Sequence, residues 1–100
     1  MIRVYFAAEA GALVSLRAGD TVRLSAHVPA SEDELDEFTA LSEAAEAGSV
    51  AIAADVDDPG EPFTLEQVAA FHLDADGSGD LAWYAPQEID QVIDLLSAAS

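Results

Sequence analysis

The chain has 100 residues, 51% of them apolar, and a formal net charge of −17 from twenty acids against three arginines. That apolar share is too high for a disordered chain and fits one domain, residues 1–100, with a single modest core. There is no cysteine, which excludes disulfides and thiolate metal sites, and so acidic a surface repels phosphate backbones and anionic lipid.

The segment "IRVYFAA" alternates Ile2, Val4 and Phe6 against Arg3 and Tyr5, the period of a half-buried strand. "MIRVYFAAEAGALVSL" carries Arg3 and Glu9 and lacks a basic region followed by an apolar run, so it does not read as a signal segment. No stretch approaches membrane-spanning length, and a cytoplasmic location is the expectation. "EAGALVSLRAGD" reads as a short helix or irregular piece ending in a Gly19-Asp20 turn. "TVRLSAHV" alternates again, with Val22, Leu24, Ala26 and Val28 opposite Arg23, Ser25 and His27, until Pro29 stops it.

"SEDELDEFTALSEAAEAG" has the spacing of a helix, with Ser31 as N-cap, Glu34 completing a capping box, and Gly48 ending it. Its expected buried stripe is Leu35, Phe38, Leu41 and Ala45. The acid run 32–37 suits a helix N-terminus and needs no catalytic explanation. "SVAIAADV" is apolar on both faces, as a central strand would be. "DDPGEP" is a loop. "FTLEQVAAFHLD" supports a helix or a strand equally well on its own. "PQEIDQVIDLLSAA" is a helix opened by Pro86, with the stripe Ile89, Val92, Ile93 and Leu96.

The acidic turn in "HLDADGSGDLAWYA" matches the first half of a calcium-binding EF-hand loop. Asp74 and Asp76 stand at loop positions 1 and 3, Ser78 at 5, Gly79 at 6 and Leu81 at 8. Position 12, which needs a bidentate Glu, is Ala85, and Pro86 steers that residue away from helical dihedrals. "LAWYA" reads instead as a strand, which makes the region a hairpin and resolves "VAAFHL" as its first strand. Trp83 is expected in or near the core, tying this hairpin to the C-terminal helix. A weak divalent-cation site, for calcium or another ion, is the alternative reading. It would use Asp74, Asp76, Ser78 and Asp80, with His72 two residues before Asp74 and on the same side of the strand. His27 would join only if its strand lay beside that of His72. No nucleophile motif, phosphate loop or dinucleotide fingerprint is present, and there is no Lys.

Several blocks together carry a resemblance: "RVY" at 3–5, "DELDEFTALSEAA", "VAIAADV" at 50–56, "VAAFHLD" at 68–74 and "LAWYAPQEI" at 81–89. With these the chain resembles a family of small actinobacterial proteins known as a domain of unknown function. It departs from that pattern at Phe6-Ala7-Ala8 and at Pro86, and residues 57–80 are shorter. The resemblance implies no catalytic or binding residues, and it implies a turn rather than an EF-hand.

The expected fold is α+β, about five strands in one mixed or antiparallel sheet in the order β-α-β-α-β-β-β-α. The leading functional reading is a non-enzymatic interaction module with an unknown protein partner, binding neither nucleic acid nor membrane. A calcium-binding protein using 74–80 is second, and a small metal-dependent hydrolase at His72 and Asp74 is third.

Overall fold

Strand β3, Val50–Val56, is apolar on both faces from Val50 to Ala54 because helices cover it there on both sides. The computed structural model describes residues 1–98. It sets β3 among β1 (Ile2–Ala8), α1 (Ala10–Arg17), β2 (Ser25–His27), α2 (Glu34–Ala47), β4 (Val68–Leu73), β5 (Ala82–Tyr84) and α3 (Ile89–Ala98). The five strands form one sheet in the order β2-β1-β3-β4-β5, and every neighbouring pair is antiparallel. β2 and β3 therefore run parallel to each other with β1 between them, and α2 is the crossover that joins them. β3, β4 and β5 continue as a simple meander. The expected α+β fold and element order are those observed, and β3 lies at the centre.

The two faces are packed differently. On one, Leu13 and Leu16 of α1 and Ile89, Val92 and Ile93 of α3 bury Val4, Phe6, Ile52, Phe71 and Leu73. Phe63, from the loop before β4, stacks on Phe6 with ring centroids 4.4 Å apart. On the other face α2 sits on Tyr5, Ala51, Ala53 and Ala70 through Ala40 and Ala44. Alanine on both sides of this contact leaves little side-chain bulk between helix and strands. The return to β3 is equally tight: a Cβ on Gly48 would meet the backbone N and O of Ala8 at 2.7 Å.

Three local expectations need correction. The α2 N-cap is Asp33, whose Oδ1 accepts the Leu35 N–H at 2.9 Å. Ser31 lies outside the helix, where its Oγ accepts the Asp33 N–H and donates to Asp36. The box expected on Ser31 and Glu34 is not formed, because Asp33 already holds the extended N-cap conformation. Strand β2 is three residues rather than the expected 21–28. Ala7 pairs with Ser25 and β1 ends one residue later at Ala8, so residues before Leu24 have run past its end. Val22 instead exchanges N–H···O bonds of 3.0 Å with Phe63. The buried stripe of α2 is Ala40 and Ala44 with Leu41 and Ala45 at its margin, whereas Leu35 and Phe38 are outside it.

Strand β4 confirms the hairpin reading of "VAAFHL", and the residues before it form one 3-10 turn, Leu65–Gln67. Among the described residues no helix is long and apolar enough to cross a membrane.

Candidate functional site

Helix α2 lies over β2, β1 and β3 and reaches Ala70 of β4, but leaves β5 and the turn end of β4 on its own side without a helix over them. Alternation puts His72 of β4 on that side, since its neighbour across the ladder is Ala51, part of the floor beneath α2. His72 pairs in turn with Trp83 at the centre of β5, so Trp83 shares this face. Nothing rises over it: Trp83 is 60% exposed. Tyr84, the next residue, turns to the opposite face and packs on the main core. The expectation that Trp83 anchors the core is therefore overturned, and Tyr84 holds the place assigned to it.

The near wall of this open shelf is α2. Leu35 and Phe38, one turn apart on one side of the helix, are 71% and 61% exposed. Phe38, Leu41 and Ser42 face His72, Asp80 and Leu81 across a cleft of about 460 Å³. The cleft has an apolar wall on the helix, an imidazole on its floor and a carboxylate at the end formed by the turn. Burial, helped by the charge of Arg3, lowers the His72 pKa below its ordinary value, which keeps the ring neutral at pH 7. Arg3 itself is tied to Asp55 by a 2.7 Å Nε–Oδ1 bond.

The acidic turn closes on itself. Asp74 Oδ2 accepts the Gly79 N–H at 2.9 Å, Asp76 Oδ1 the Ser78 N–H at 3.0 Å, and Ser78 Oγ the Asp80 N–H at 3.2 Å. Gly77 and Gly79 take φ of 77° and 93°, left-handed conformations that glycine adopts without strain. Hydrogen bonds from Ser78 hold the Asp76 carboxyl below the usual carboxylate range. Asp74, Asp76, Ser78 and Asp80 are thus gathered in one exposed turn, while His72 sits back on the strand. Among the described residues no three His, Cys, Asp or Glu side chains converge so as to hold a metal ion. Glu88, the nearest acid beyond position 12, accepts the Ala85 N–H at 2.9 Å instead. His27 lies on β2, separated from β4 by β1 and β3, so it does not join His72.

A larger cleft, about 620 Å³, opens between Glu9, Ser49, Leu73 and Leu96. Its Glu9 carboxylate is engaged by the backbone N–H and hydroxyl of Ser49 at 2.8 and 2.6 Å, which ties the start of α1 to the start of β3. That is a structural role. No protein-family model, curated protein or solved structure matches this chain.

Helical periodicity assigns Leu35 and Phe38 to the core, and the hairpin reading assigns Trp83 there as an anchor, yet all three are exposed. One signal pointed elsewhere. Ala51, Ala53 and Ala70 supply only alanine to one face of the sheet, and such a floor is matched by the Ala40–Ala44 ridge rather than by Leu35 and Phe38.

Proposed function

We propose that the chain is a non-enzymatic protein-interaction module whose binding surface is the shelf formed by α2, β4 and β5. The supporting observation is that Phe38, on the α2 wall of the cleft, and Trp83, the cross-strand partner of its floor residue His72, are large aromatic side chains left 61% and 60% exposed. An exposed Trp beside a cleft is a frequent energetic centre of protein interfaces. The chemistry around the cleft supports binding better than catalysis: a neutral imidazole and one carboxylate stand there, with no nucleophile held by a base.

Panning a displayed random-peptide library on the wild-type chain tests this reading, with the Phe38→Ser, Trp83→Ser double variant as counter-selection. Ligands retained by the wild type and not by the variant are expected. Circular dichroism checks that the variant is folded, as the exposure of both side chains predicts. Ligands that bind both proteins equally, or a failure to select any, would refute the assignment.

A further inference from the structure

Resting on that reading of the shelf, we infer that its partner is an extended, Arg- or Lys-bearing segment of another protein that adds to the free edge of β5 as a sixth strand. β5 ends the sheet, and among the described residues no strand pairs with its outer edge. Natural edges are commonly protected by Lys, Pro, a bulge or an inward charge. β5 is Ala82-Trp83-Tyr84, and its only such feature is its shortness, with Pro86 two residues beyond it. A three-residue edge offers few backbone hydrogen bonds, so side chains of the added strand must supply much of the affinity. The residue placed opposite Trp83 lies on the shelf face, against the indole.

Charge decides what that residue is. Asp80 lines the cleft and Asp74 and Asp76 stand in the same turn. No Lys or Arg occurs anywhere in residues 31–100. A long cationic side chain satisfies both parts of the site. Its methylene stem lies against the Trp83 ring, and its charged group reaches the turn carboxylates, which neutralise it. A second copy of this chain is disfavoured as occupant, because each copy carries a net charge of −17.

The test uses three synthetic peptides titrated against the whole chain, read by the fluorescence of Trp83, its single tryptophan. The first alternates Arg with Val or Thr, the second replaces each Arg by Glu, and the third keeps the charges but carries Pro at alternate positions, which removes ladder donors. The first is expected to bind saturably, at least about tenfold more tightly than either control, and to weaken as salt is added. It should also slow amide exchange within 82–84. Equal binding of the Glu peptide would overturn the basic partner, and equal binding of the Pro peptide would overturn strand addition. In both cases the shelf would stand as a binding surface. No response to any of the three overturns the inference, and the panning experiment then decides the shelf separately. Sedimentation of the free chain checks the second-copy alternative, and a dimer lost in Trp83→Ser would overturn the inference in its favour.

Discussion

Trp83 and Phe71 lie on adjacent strands and differ in which face of the sheet they occupy, and that difference sets what each contributes. Phe71 is fully buried in the main core, so Phe71→Ala is expected to cost about 3–5 kcal/mol, read from denaturant unfolding. Trp83→Ala should stay within about 0.5 kcal/mol of wild type, as surface substitutions usually do. A loss for Trp83→Ala comparable to that for Phe71→Ala would contradict the exposed position. His72, the cross-strand partner of Trp83, gives a pH signature. Burial lowers its pKa, so the folded state binds fewer protons than the unfolded state as the pH falls below the ordinary value of about 6.5. Stability should therefore decrease with falling pH in that range, and the His72→Gln variant should lose this part of the slope. Parallel stability profiles for the two proteins would show that the ring is not desolvated. For the acidic turn, the absent position-12 carboxylate predicts calcium binding no tighter than about millimolar. A micromolar transition abolished by Asp74→Ala would show that the turn is an ion site after all.

Among the elements, the start of α2 and its exit test the packing most directly. Asp33→Ala removes the acceptor for the Leu35 N–H and should cost about 1 kcal/mol, while Ser31→Ala should cost less. The reverse order would restore Ser31 as the N-cap. At the exit, Gly48→Ala drives a Cβ into the Ala8 backbone, and a loss of about 1–3 kcal/mol is expected in the same unfolding measurement. The strands and helices were legible in the sequence because alternation, continuous apolar runs and turn residues report local geometry. β3 could be read as central, since the run Val50–Ala54 is apolar on both faces, as a strand covered on both sides requires. The limits of β2 were not legible, because they depend on where β1 stops, and β1 stops where the chain turns into α1. The shelf was hidden for a related reason. Alternation tells which residues of β5 share a face, but whether α2 reaches across to cover that face depends on strand order, which no local pattern encodes.

At the scale of the whole molecule, charge is sparsely compensated. Arg3 pairs with Asp55 and Arg17 with Asp90, both at exposed positions, and exposed pairs of this kind contribute about 0–1 kcal/mol. Residues 31–100 hold eighteen acids and no Lys or Arg, and Asp55 and Asp90 are the acids among them that pair with the arginines named. At about 0.01 M salt the screening length is roughly 30 Å, close to the longest extent of the domain, 35 Å, so the acids repel across it. At about 1 M it is roughly 3 Å, and the repulsion is confined to neighbours. The melting temperature at pH 7 should rise with sodium chloride. A flat or falling dependence would show that the acids are compensated locally.

The position of β1 carries a consequence for how the chain reaches this state. β1 is the first strand in the chain but lies inside the sheet, and its long partner β3 does not begin until Val50. In the interval the apolar segment "IRVYFAA" has an unpaired edge, the kind of segment that recruits other chains. The acids that burden the native state then act as gatekeepers, keeping unfinished molecules apart. Salt should consequently act in opposite directions on the two processes. Concentrations that raise the melting point should also increase light scattering during refolding from denaturant, and the yield of soluble protein should peak at an intermediate ionic strength.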